Sequence, residues 1–191
     1  MKKIIGLILI PLSLLAACGA EAPTPLPKGY FRIDLPESRY TRKAFGCPFS
    51  FEASDRSRLE FFTDGGPGER CWFDMYYPDH RARIHFTYKD PEDHLRNFIE
   101  EARGMAYEHH IKANKIDRKV IADSLNKVYG LAYDLEGNVA SHFQFYLTDS
   151  VNHFVRGSLY FEARPNQDSI RPVLRHIKGD LIHLIETFRW E

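Results

Sequence analysis

His176, Asp180 and His183 stand at i, i+4 and i+7 of one helical run, so two imidazoles and a carboxylate fall on one flank and could converge on a cation. A line along a helix spreads its outer members, which disfavours tetrahedral closure, and a solvated flank beside an apolar stripe accounts for the same residues. The reading is therefore of no metal site and no cofactor, with this trio as the weak candidate. Arg156 shares a strand face with Phe154 and Tyr160, and Tyr146 can join them, which places a positive charge among aromatic rings and suits a binding patch. The competing account is an arginine laid over aromatic rings beneath a covering helix. For nucleophilic chemistry there is no Gly-x-Ser-x-Gly elbow, and Ser141-His142 and Gly157-Ser158 belong to alternating strand patterns. Glu100-Glu101 lie on a helix surface with no pocket signal. His109 and His110, consecutive on a helix, point about 100° apart, and His80 and His85 fall on opposite strand faces. No catalytic residue follows, and the chain reads as a non-enzyme.

The chain has three cysteines. Cys18 closes Leu15-Ala16-Ala17-Cys18, preceded by Lys2, Lys3 and an apolar run from residue 4 to 15. A membrane helix needs roughly 20 apolar residues, so this shorter run reads as an export signal, residues 1–17, rather than a span. Small residues before a cysteine fit a lipobox, in which the Cys18 thiol takes the lipid; the alternative is ordinary secretion with an incidental cysteine. Residues 18–28 contain Pro23, Pro25 and Pro27 and read as an extended tether. At about 3 Å per residue it holds the domain on the order of 30 Å from the lipid. Cys47 and Cys71 remain, and an exported chain favours pairing them in a disulfide worth roughly 3 kcal/mol. Two buried thiols are the alternative.

The elements that must position these residues follow from patterning. Residues 29–191 form one domain, and roughly 160 residues can bury a core without a metal. Lys plus Arg and Asp plus Glu both number 26, and loss of Lys2 and Lys3 with the signal leaves a slight acidic excess. Nothing there suits nucleic acid. Fourteen Phe and ten Tyr fit a sheet-rich core. Strands are predicted at 30–35, 40–45, 48–52 and 59–63, with a turn cluster at 64–68 and a hairpin of 71–77 with 82–88. A helix is predicted from Pro91 to about Lys112, capped by Asp90 and Asp93, burying Leu95, Phe98, Ile99, Ala102 and Ala106. From Ile116 the period becomes two. Tyr129, Leu131, Tyr133 and Leu135 share one face, and Val139, Ser141, Phe143, Phe145 and Leu147 share another. A last helix carries Ile170, Val173, Leu174, Ile177, Leu181, Leu184, Ile185 and Phe188 and ends at Trp190.

The order of strands, helix, strands and helix implies an α+β fold, a mostly antiparallel β-sheet with two main helices packed on it. It is similar to the sandwich of PsbP and Mog1-like domains. Several stretches resemble the gliding motility lipoprotein GldD family. They include Pro27-Lys28-Gly29-Tyr30-Phe31-Arg32-Ile33-Asp34-Leu35-Pro36, Cys47-Pro48-Phe49-Ser50-Phe51, Cys71-Trp72-Phe73 and Lys127-Val128-Tyr129-Gly130. Further ones are Gln144-Phe145-Tyr146-Leu147-Thr148-Asp149-Ser150, Arg156-Gly157-Ser158-Leu159-Tyr160-Phe161 and Phe188-Arg189-Trp190. The resemblance implies a lipid-anchored component of the cell envelope, needed for gliding and facing the periplasm. It would work beside other gliding lipoproteins and type IX secretion components, with no assigned active site. From the residues alone, the alternative is a periplasmic domain that binds a ligand, peptide or glycan, or a hydrolase with an unfamiliar site.

Overall fold

The computed structural model describes residues 33–62, 71–91, 94–163 and 166–191. The signal at 1–17, Cys18 with its tether, and the turn cluster at 64–68 lie outside the described residues. The strands are β1 (Tyr40–Ala44), β2 (Phe49–Ser54), β3 (Arg58–Phe61), β4 (Phe73–Tyr77), β5 (Ala82–Lys89), β6 (Ala113–Asp123), β7 (Val128–Gly137), β8 (Ser141–Thr148), β9 (Phe154–Phe161) and β10 (Arg189–Trp190). Helix α1 (Leu95–Tyr107) precedes β6, and α2 (Gln167–Glu186) follows β9. Every strand pairing is antiparallel. The fold is α+β, a mostly antiparallel sheet structure with two helices.

Two sheets form where the sequence suggests one. β1, β2 and β10 make a three-stranded sheet, and the other seven strands run in the order β3-β4-β5-β9-β8-β7-β6. The main core joins them: Phe49 and Phe51 of the small sheet meet Phe73, Phe86 and Phe145 of the large one and Ile177, Leu181 and Leu184 of α2. These eight side chains each contribute about 1.5–3 kcal/mol when fully buried, which is what holds the layers together. Phe73 and Phe86 stack at 4.6 Å. Gly157 keeps this layer tight, since a Cβ there would sit 2.4 Å from the Phe145 ring. On the opposite face of the large sheet, α1 lays Ala102 and Ala106 on Tyr133, Leu135, Tyr146 and Phe154. β8 is therefore buried along its whole length.

Local chemistry moves several boundaries. Residues 33–35 form no strand, with Pro36 next to them removing a ladder donor; residues 30–32 lie outside the described ones. α1 starts at Leu95, and Asp93 of the predicted cap lies outside the described residues. It ends at Tyr107 and passes into a 3-10 turn over Glu108–Ile111. α2 stops at Glu186 rather than Trp190. Thr187 turns its hydroxyl back to His183 O at 2.8 Å while accepting the Glu52 N–H at 3.1 Å, so Arg189 and Trp190 can pair with β2. Val139 belongs to the α1 side, away from Phe143, because the β8–β9 register shifts between Ser141 and Phe143. One such irregularity inverts the facing of what precedes it.

Gly104, in the interior of α1, has open space where a Cβ would stand. Gly104→Ala is expected to raise stability by about 0.5–1 kcal/mol. A higher urea midpoint at unchanged m-value is the measurement that checks it.

Candidate functional site

The three helical residues that could have met at a cation are each engaged by side chains of other elements. Asp180, 4% exposed, accepts from Tyr40 Oη at 2.8 Å and from Tyr77 Oη at 3.1 Å. Burial and then the Asp180 carboxylate push the Tyr77 phenol well above its ordinary pKa, and burial followed by the bond to Asp180 raises Tyr40. His183 stacks on the Tyr40 ring at 3.8 Å and meets Glu52 Oε2 at 2.8 Å. His176 lies edge-on to His80, centroids 6.1 Å apart. The flank fastens α2 to the small sheet and to the β4–β5 hairpin. No group of three or more His, Cys, Asp or Glu among the described residues could hold a metal ion.

The aromatic patch divides into two environments. Tyr146 and Phe154 stack at 5.7 Å inside the core beneath α1, whereas Arg156 and Tyr160 are half-buried. Arg156 Nη2 donates to Gln144 Oε1 at 2.9 Å, and burial lowers the guanidinium below the usual arginine value against the pull of Tyr160 and Glu101. A cavity of about 150 Å³ opens beside it, bordered by Thr87, Lys89, Phe98 and Glu101.

Next to Arg156 runs a polar row that sequence reading missed. Glu60, Asp74, His85, Ser158, Gln144 and Tyr133 are direct partners across six adjacent strands. Side chains opposed in this way sit about 5 Å apart. At one end ion pairs saturate the row: Arg83 Nη1 reaches Glu60 at 2.7 Å and Asp74 at 3.0 Å, and His85 Nδ1 meets Asp74 Oδ1 at 2.6 Å. At the other end Ser158 Oγ, Gln144 Nε2 and Tyr133 Oη are buried without a hydrogen-bond partner among the described residues. Buried polar atoms of this kind are ordinarily met by water or a ligand.

A serine, histidine and carboxylate in register have the composition of an acyl-transfer triad. The geometry lacks its working contact. Ser158 Oγ makes no bond to His85, and Ser158 is only 1% exposed, so no base draws its proton and no carbonyl reaches it. Two further grooves, about 420 and 460 Å³, lie between α2 and the β6–β7 strands, with the Lys178–Asp134 ion pair bordering both. Neither is lined by a histidine, cysteine or serine.

Comparison with protein families matches the gliding motility lipoprotein GldD model over residues 20–190. The chain belongs to this family. Curated proteins give no match. Among solved structures, the chain is similar to the solution structure of cyanobacterial PsbP (CyanoP) from Synechocystis, at 11% identity and a TM-score of 0.46, covering 88% of this chain and 100% of that one. This GldD-family chain has no helix among its described residues long and apolar enough to cross a membrane.

His142 gives the GldD-family domain a pH dependence. It is 2% exposed, and its Nε2 lies 3.2 Å from Gly137 O, an acceptor only, so Nε2 carries the proton and Nδ1 is left without a partner. Burial holds the imidazole below its ordinary value of 6.5. A depressed folded-state pKa means stability present above pH 6.5 and lost as pH falls below it. The slope of stability against pH in this acid range is expected to be shallower in His142→Asn, as read by chemical denaturation at stepped pH.

Proposed function

We propose that this protein is a lipid-anchored subunit of the cell envelope that assembles or stabilises the gliding apparatus together with type IX secretion components, without catalysing a reaction. The observation that carries this reading is the family match, which spans all but the last of the described residues and begins two residues after Cys18. A lipid on Cys18 and a short proline-rich tether would keep the domain facing the periplasm close to its membrane.

The test is in-cell crosslinking of an affinity-tagged copy beside a Cys18→Ala control, with mass spectrometry of the captured envelope proteins. Capture of gliding or secretion subunits only with Cys18 intact is the expected result. A deletion strain that moved and secreted normally would sink the proposal.

A second reading, a periplasmic ligand-binding domain, is favoured by the unfilled hydrogen-bonding atoms of Tyr133, Gln144 and Ser158 beside Arg156. Native mass spectrometry of the purified protein decides it. A small molecule retained by the wild type and lost in Arg156→Ala would support this reading, and an unliganded mass in both would remove it.

A further inference from the structure

Two turns at one end of the large sheet are built alike. Asp123-Ser124-Leu125-Asn126 joins β6 to β7, and Asp149-Ser150-Val151-Asn152 joins β8 to β9. In each, the aspartate Oδ1 accepts the N–H groups two and three residues on: Leu125 at 3.0 Å and Asn126 at 3.1 Å in one, Val151 at 2.9 Å and Asn152 at 2.8 Å in the other. The carboxylates thus face their own backbones while the third residue projects. Leu125 is 96% exposed and Val151 61%.

The strand registers bring the end of β5 to this same end, Lys89 facing Phe154, while β3 stops three residues earlier, Phe61 lying level with Phe86 through Phe73. Phe62, 51% exposed, follows β3, and its N–H reaches Trp72 O at 3.4 Å. Both tryptophans of the chain lie here. Trp72 Nε1 donates to Tyr88 O at 2.7 Å. Trp190 bridges the two like turns, donating to Lys127 O at 3.0 Å and stacking on His153 at 5.1 Å. Apolar side chains raised singly on turn tips above a rim of tryptophan match a lipid headgroup boundary, where the tips enter apolar surroundings and indole stays at the polar interface. Cys18 stands 15 residues before Ile33, and an extended chain of that length reaches about 50 Å at most.

We propose that this end of the sheet is a second membrane contact, with Leu125 and Val151 entering a phospholipid surface so that the domain lies on the bilayer. The inference rests on the lipid anchor at Cys18 proposed above.

The test uses the lipidated protein reconstituted in vesicles of phosphatidylethanolamine and phosphatidylglycerol whose acyl chains carry bromine, with tryptophan emission as readout. Emission is expected to fall roughly twofold against unbrominated vesicles, and the fall to disappear in Leu125→Asp/Val151→Asp, whose changes sit on exposed tips. Flotation of both proteins with the vesicles reports the anchor separately. Floating wild type with unquenched tryptophan overturns the second contact while leaving the anchor standing, as does equal quenching in the variant. Protection of the two tips only when an envelope extract is added overturns it in favour of a protein partner. Failure of either protein to float removes the anchor and this inference with it.

Discussion

Asp180→Ala is expected to lower the unfolding free energy by about 3 kcal/mol, because hydrogen bonds to a charged group carry about 1.5–3 kcal/mol each and both phenols lose their acceptor together. For a domain of this size that is a fall of roughly 6–12 °C in Tm. Tyr77, 1% exposed, would lose the carboxylate that receives its buried proton. Asp180→Asn is the informative control, since it preserves shape and an acceptor and should lose much less. The same pair of tyrosines sets an alkaline limit. Their folded-state values are raised above the ordinary 10.0, so the stability they contribute is present below pH 10 and lost as pH rises beyond it. Calorimetry of the wild-type protein with and without EDTA addresses the trio of His176, Asp180 and His183. A Tm unmoved by chelator is expected; one that moves would return the helix flank to metal binding.

Breaking the Cys47–Cys71 bond is expected to cost about 3 kcal/mol. The two cysteines are separated by 24 in sequence, with Cα atoms 5.8 Å apart, and are 8% and 4% exposed. Cys47 leads into β2 of the small sheet and Cys71 into β4 of the large one, so the bond ties the two layers at the aromatic core. Release of this loop restores conformational freedom to the unfolded chain, which is where most of the effect arises. Thermal melts with and without reductant measure it, and Cys47→Ala/Cys71→Ala should melt at the reduced temperature whether or not reductant is present. A double variant as stable as the oxidised wild type would rule out a stabilising crosslink.

How far these features were legible varies with the distance over which each is encoded. The β4–β5 hairpin and the meander through β9 were readable, because alternation and turn residues are local signals. Thr187 was not readable as the end of α2, since it stops the helix by reaching Glu52 on a strand distant in sequence. Val139 faces against the alternation of its neighbours because a bulge between Ser141 and Phe143 breaks the period. Asp180 looked like a cation ligand for want of its partners, and those partners, Tyr40 and Tyr77, lie 140 and 103 residues away.

By itself the sequence determined the family, the helical and strand character of most segments, and the apolar stripes that bury them, since each depends on residue types at short spacing. Only the tertiary structure decided the division into two sheets, the polar row from Glu60 to Tyr133 and the gathering of Leu125, Val151 and both tryptophans at one end. The reason is register. Which residues of distant strands face one another is set by the packing of the whole chain, and a shift of one residue would have turned the same side chains to the other face.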